Sequence, residues 1–470
     1  MSLSLFLQSG ATPELVQDEE TLAYRPLLGR WLIDLALMLN WHRPSQRRVR
    51  HIDPLWENRE FLTLTGLPED WIDDENDDAE TRAVRRQHPL LREQRFAEVL
   101  PQHRTALAGQ ALPPEAPLLR NLTWLGELLN LNLVEQAILA FAVLLDSDRL
   151  FKQAIALQNQ ETPTSLLFTL LAALTGTSVK AVQQALDTHS VLMVTELITI
   201  RIDSVDLEDK LSPRRDLSAI LMLPYPDAEA LIACFFQHAP RRTLTLANFS
   251  HLQRDTEAIV GLLQAALDHP MPGTNLLLYG PPGVGKTEYA AALAAAVQAD
   301  LYEVNYADED GDPIRGTARL GAFNLCQRLL ARRKRALLLF DEVEDVFERD
   351  PLADLFGGGR GRAAGGKAWI NRTLENNPVP ALWITNDVRS MDPAFLRRFD
   401  YAIRFATPPQ AVRLTIAAHH LGNWAGDDDW LERIAAQEHL TPGQLERAAK
   451  LARHAGDGDP ARQRALVRQA

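Results

Sequence analysis

The sequence predicts a multidomain chain: an α-helical N-terminal region, then an α/β domain on a parallel sheet, then a closing set of helices. Three observations predict it. Gly280-Pro281-Pro282-Gly283-Val284-Gly285-Lys286-Thr287 is a complete G-x-x-x-x-G-K-[ST] loop. It lies between the apolar run Asn275 to Tyr279 and an alanine-rich helix expected from Lys286 to Gln298. Two more apolar runs, Ala336 to Phe340 and Pro380 to Thr385, end in Asp341-Glu342 and in Asn386, as buried parallel strands with polar C-terminal tips do. Upstream, apolar residues recur at three- and four-residue steps, the period of amphipathic helices.

With 470 residues the chain has room for more than one core, and we expect segments 1–110, 118–240, 245–407 and 408–470. The net charge of −13 argues against a general nucleic-acid coat or a binder of anionic membranes. Cys234 and Cys326 lack any paired spacing, which suits a reducing compartment and suggests neither a disulfide framework nor a zinc site. The leucine-rich opening Ser2 to Leu7 has no basic lead, and the apolar window Leu27 to Trp41 is interrupted by Arg30 and Asp34. The expected location is cytoplasmic, with no membrane contact.

In chain order, Leu28, Trp31, Leu32, Leu35 and Leu39 form the buried stripe of a helix expected between Glu19 and Trp41. The run from Glu69 to Glu80 is strongly acidic and reads as a solvated surface segment. Pro101, Gly109, Pro113, Pro114 and Pro117 mark an expected first linker. Helices are expected over Asn121 to Leu145 and Leu150 to Gln158. Ser165 to Leu174, Thr175-Gly176-Thr177 and Ser178 to Leu186 give the pattern of a helix-turn-helix, and Val191 to Arg201 offers wing strands for a winged helix. Its second helix carries only Lys180, poor equipment for a phosphate backbone, so protein contact or plain packing is favoured over DNA reading. Asp206 to Gln237 continues helical. Phe249-Ser250-His251-Leu252 either lines an adenine pocket or makes a strand-to-helix junction.

The chemistry concentrates after residue 275. Glycines 280, 283 and 285 let successive N–H groups cradle phosphate oxygens, and the helix that follows offers its positive end. Lys286 would reach the β- and γ-phosphates, and the Thr287 hydroxyl would bind Mg²⁺. Asp341 would hold the same ion, Glu342 would polarise the attacking water, and Asn386 would reach the γ-phosphate or orient that water. Asp392-Pro393 starts a short helix that presents Arg397 and Arg398.

Together, Gly280 to Thr287, Leu337 to Glu342, Asn386 and Met391 to Asp400 make residues 245–470 resemble an AAA+ ATPase of the AAA branch. The resemblance implies ATP and Mg²⁺ as ligands and ATP hydrolysis as the activity. It further implies a homo-oligomeric ring, usually a hexamer, in which Arg397 and Arg398 act as arginine fingers on a neighbour's nucleotide. Residues from Pro408 onward resemble the family's helical lid, with helices near Gln410 to Leu421, Asp428 to Glu438 and Pro442 to His454. Two departures stand out. Ala307 to Ile314 is acidic where threading members carry an aromatic loop, and Pro442-Gly443-Gln444-Leu445 lacks the sensor 2 arginine, with Arg447 one turn later. The glycine-arginine stretch Gly357 to Gly366 is either a second pore segment or a mobile linker.

The expected function is ATP-driven remodelling or regulation of a protein partner bound by the N-terminal helices. The alternatives are a nucleic-acid-dependent ATPase, or an assembly switch with little turnover.

Overall fold

The computed structural model describes residues 23–43, 54–68, 70–72, 78–113, 115–156, 162–201, 203–204, 206–240, 244–269, 271–304, 316–347, 370–421, 424, 428–455 and 459–469. The chain divides into two compact units, residues 1–231 and 232–470. Ala307 to Ile314, Gly357 to Gly366, Glu19 to Leu22 and the centre of the acidic run lie outside the described residues.

The first unit is helical, as its periodicity predicts. The helix Arg25–Met38 buries Leu28, Trp31, Leu32 and Leu35. Trp31 meets Phe141 edge-on at 5.3 Å, and its indole N–H donates to the Leu174 carbonyl at 3.3 Å, so the large ring is packed and its one donor satisfied. The expected helix over Asn121 to Leu145 is instead two, Pro117–Leu129 and Leu133–Ser147. Asn130 takes φ 56° and ends the first. Asn132 and Glu135 then form a reciprocal cap that starts the second. Pro101, read as linker, sits inside the helix Pro89–Ala108, whereas Pro117 opens the next helix at a position where a missing N–H costs nothing.

The helix-turn-helix forms as expected: Thr164–Thr175 and Val179–Ala185 meet at 107° across a left-handed Gly176. Only part of the expected wing is strand. Val191–Val194 is a helical turn, and β1 (Ile198–Ile200) pairs antiparallel with β2 (Leu211–Pro213). Asp206 to Gln237 is likewise not helical throughout. Besides three short helices it contains β2 and, within the second unit, β3 (Phe236–His238). Among the described residues, no single helix is long and apolar enough to cross a membrane.

The second unit is a six-stranded sheet with helices. Its further strands are β4 (Asn275–Tyr279), β5 (Asp300–Val304), β6 (Ala336–Phe340), β7 (Ala381–Thr385) and β8 (Tyr401–Arg404), in the order β3-β5-β6-β7-β4-β8. All pairings are parallel except β3 with β5. Strand β4 is flanked by β7 and β8, so the chain leaving it must cross over β7 and β6 to reach β5. Ligands of such sheets bind where the connections part, at the strands' C-terminal ends. The helices Gln410–Leu421, Asp428–Ala435, Pro442–Ala455 and Pro460–Gln469 follow the sheet, and the first three share a core around Trp430 and Leu445.

The opposite end of the sheet is tied by Asn275, which is fully buried. Its side-chain amide donates to the carbonyls of Gly273 (2.7 Å) and Leu374 (2.6 Å), and its oxygen accepts from the Trp383 indole N–H at 2.9 Å. Its main-chain N–H donates to the Asp400 carboxylate at 2.8 Å. The starts of β4 and β8, the centre of β7 and the segment before β7 therefore meet at one residue. Asn275→Leu conserves volume but strands a buried indole N–H and two carbonyls. It is expected to lower stability by about 2–4 kcal/mol, read as a fall in the denaturant midpoint of the full chain.

Candidate nucleotide-binding site

The loop after β4 can leave the sheet because of its glycines. Gly280 has φ 146°, and a Cβ there would lie 2.0 Å from the Phe405 carbonyl oxygen, so no other residue fits beside the end of β8. Gly283 and Gly285 also have positive φ, 77° and 96°, a backbone pattern that turns successive N–H groups to one side. Pro281 and Pro282 are exposed, while Val284 is buried and anchors the loop in the core. Beneath it Phe249 lies edge-on to Tyr289 at 5.1 Å, and Tyr289 lies edge-on to Phe405 at 5.3 Å. Burial pushes the Tyr289 hydroxyl up to about 12, so the group stays neutral as it shares a hydrogen bond with Thr256. Phe249 belongs to a 3-10 turn, Leu246–Leu252, that leads into the helix Gln253–Asp268. His251 Nδ1 nearby is buried with no hydrogen-bond partner among the described residues.

Lys286 opens the helix Lys286–Ala296 and is 6% exposed. Its amine donates to the carbonyls of Gly280 (2.7 Å) and Pro281 (2.9 Å) and to the Asn386 side-chain oxygen (2.9 Å). Burial pushes its pKa down, while Asp341 and Glu344 pull it back up. Asn386 is exposed just beyond β7, and this contact brings a residue 100 positions away to the loop's lysine.

The tip of β6 supplies the acids. Thr287 donates its hydroxyl to Asp341 at 3.0 Å, and the Glu342 N–H donates to the other Asp341 oxygen at 2.8 Å. Burial nevertheless raises the Asp341 pKa above the ordinary aspartate value, against those two bonds and the Lys286 charge. A hydroxyl beside an incompletely neutralised carboxylate is a hard-oxygen donor pair, and Thr287 and Asp341 thus fit Mg²⁺. Glu342 is exposed, with φ 51°. Arg397 is exposed, whereas Arg398 pairs with Glu375 at 2.8 Å. Arg447 is exposed on the helix Pro442–Ala455, whose Gly443 N–H donates to the Gly283 carbonyl at 2.9 Å.

Two residues near the site escape motif reading. Arg319 donates to the carbonyls of Glu342 (2.6 Å) and Asp341 (2.5 Å). Its available signal is position: a charge in line with Ala322, Phe323 and Cys326 on the buried face of the helix Thr317–Leu330. Glu344 accepts from the Thr385 hydroxyl at 3.0 Å and from the Asn386 N–H. Only its place two residues after Glu342 hints at this.

The parallel sheet, the loop at its switch point and the acids two strands away define a phosphate-binding-loop α/β protein. Residues 276–407 match the family model described as ATPase family associated with various cellular activities (AAA). Over this stretch the chain is similar to AAA ATPases. Over 228 residues, 44% of this chain, it is 29% identical to 54% of the proteasome-activating nucleotidase of Pyrococcus furiosus. Over 120 residues, 25% of this chain, it is 32% identical to 27% of the replication factor C large subunit of Picrophilus torridus. Among solved structures, a chain of the E. coli MS115-1 HORMA:CdnC:Trip13 complex aligns with a TM-score of 0.39 at 18% identity, covering 50% of this chain and 94% of that one. The chain spans about half the length of the nucleotidases it matches.

The raised Asp341 pKa has a stability consequence. Between about pH 4, the ordinary aspartate value, and its higher folded value, the folded chain keeps a proton the unfolded chain has lost. The stability linked to that proton is lost as pH rises through the window. In metal-free buffer, Asp341→Asn should therefore gain in melting temperature relative to wild type as pH rises from about 4 to about 7. A difference that does not change with pH would show that burial of this carboxylate costs nothing.

Proposed function

We propose that this chain hydrolyses ATP with Mg²⁺ in a homo-oligomeric ring and couples turnover to remodelling or regulating a protein partner bound by its N-terminal helical unit, in the cytoplasm. The observation that carries the reading is the convergence of Lys286, Asn386, Thr287 and Asp341, joined by hydrogen bonds of 2.9 and 3.0 Å. In this reading Gly280 to Thr287 bind the phosphates, and Lys286 neutralises charge on them. Asp341 and Thr287 would hold Mg²⁺, which would supply positive charge against the phosphate oxygens. Glu342 takes the proton of the attacking water, and Asn386 orients that water. The unpartnered His251 nitrogen supports an adenine contact on the Phe249 side of the loop. The match of residues 276–407 to the AAA family supports both the hydrolysis and the ring.

The test is Mg²⁺-dependent release of phosphate. Lys286→Ala and Glu342→Gln should each lower turnover by about 10²-fold or more, with nucleotide binding lost in the first and retained in the second. Wild-type turnover in both would sink the mechanism, and little turnover by wild-type rings that assemble with ATP would favour the switch.

Of the two arginines, exposed Arg397 is the better finger, because Arg398 already has Glu375 as a partner. Arg397→Ala should reduce turnover by about 10³-fold if it acts on a neighbour's nucleotide. Mixing it with Lys286→Ala chains should restore part of that loss, since one kind of mixed interface keeps both groups. No recovery in rings shown to be mixed would rule out the role in trans.

A further inference from the structure

A single guanidinium, that of Arg319, touches three consecutive residues at the tip of β6. It stacks 4.7 Å over the Phe340 ring and donates through Nη2 to the Asp341 carbonyl at 2.5 Å and through Nη1 to the Glu342 carbonyl at 2.6 Å. The residue is 5% exposed. Burying an arginine beside a helix–sheet core costs desolvation, which these main-chain contacts offset.

The backbone so held is unusual. Glu342 is a non-glycine residue at φ 51°, a left-handed conformation that a side chain with a Cβ disfavours and that persists where surroundings impose it. On a continuing strand Asp341 and Glu342 would point to opposite faces. The left-handed turn ends that alternation, leaving Glu342 exposed while Asp341 faces Thr287. A lysine could not reproduce the clamp, because its one nitrogen lacks the planar fork that spans two carbonyls.

We propose that Arg319 is a positioning residue, whose guanidinium clamps the Asp341 and Glu342 carbonyls, fixes the left-handed backbone at Glu342 and so aims the water-activating carboxylate. The inference rests on Glu342 having that role in hydrolysis. In this role Arg319 acts through the main chain, so its loss should separate chemistry from binding.

The experiment compares full-length wild type, Arg319→Gln and Arg319→Lys, with Lys as the less disruptive change should Gln fail to fold. Turnover, the Kd for a fluorescent ATP analogue and deuterium exchange over residues 338–347 are measured on each. In either variant kcat should fall by about 10- to 100-fold, as for outer-shell partners elsewhere, while Kd stays within about threefold. Exchange near Val343, whose N–H donates to the Ile384 carbonyl at 3.2 Å, should speed up. A folded variant with wild-type kcat and exchange overturns the proposal, as does a loss of binding equal to the loss of turnover. If wild type itself binds nucleotide without turning it over, the hydrolysis reading falls; faster exchange then still supports the clamp, and unchanged exchange overturns it.

Discussion

Everything in the C-terminal unit depends on the in-register parallel pairing of β4 with β7 on one side and β8 on the other. Parallel strands bring their C-terminal ends to one edge, so Gly280 and Asn386 emerge side by side, with the tip of β6 next in line. Register is fixed from the far end. There Asn275 gathers the indole of Trp383, the Asp400 carboxylate and the carbonyls of Gly273 and Leu374 into a buried set of hydrogen bonds. Sliding β7 by one residue would break that set and turn the side chains of β7 to opposite faces. The aromatic rings of Phe323, Phe340 and Phe399 around Trp383 fill the space between that anchor and the acids. Fold stability and site geometry thus share the same atoms.

The site holds opposed charges in a partly dry setting. Burial disfavours the charged forms of both Lys286 and Asp341, and each partly relieves the other. Lys286 meanwhile spends its three donors on two loop carbonyls and an amide oxygen, all neutral acceptors. A polyanion offers that ammonium group stronger partners than these, and a divalent cation offers Asp341 the same. The electrostatic cost borne by the protein alone is what such ligands would relieve.

How much of this could be read from residues alone follows the range of the interactions. The loop, β4, β6, β7 and three of the four C-terminal helices announce themselves through local period and composition. Gly176 and Ser178 likewise mark the turn between Thr164–Thr175 and Val179–Ala185. Strand β3 does not, because Phe236 to His238 becomes a strand only by pairing with Tyr302 to Val304. Asn130 divides one apparent helix into two because an asparagine tolerates positive φ, which apolar periodicity does not register. Among the site residues, Lys286, Thr287, Asp341, Glu342 and Asn386 were nameable from motif and spacing. The Arg319 contacts were not, since they go to carbonyls, which every residue has. The split between Arg397 and Arg398 needed the position of Glu375, which the chain places more than 20 residues earlier.

The hydrogen bond from Gly443 to Gly283 joins the first turn of a C-terminal helix to the middle of the phosphate loop, and a Cβ at Gly443 would lie 3.1 Å from the Gly283 Cα. That helix also carries Leu445 and Ala449, which pack with Trp430, Leu431 and Ala417 of its neighbours. Displacing the loop backbone by a fraction of an ångström therefore loads a stiff lever: the helix cannot stay still without breaking the bond, nor move without carrying its core along. This chain thus has a mechanical linkage, backbone to backbone, between the phosphate loop and its C-terminal helices.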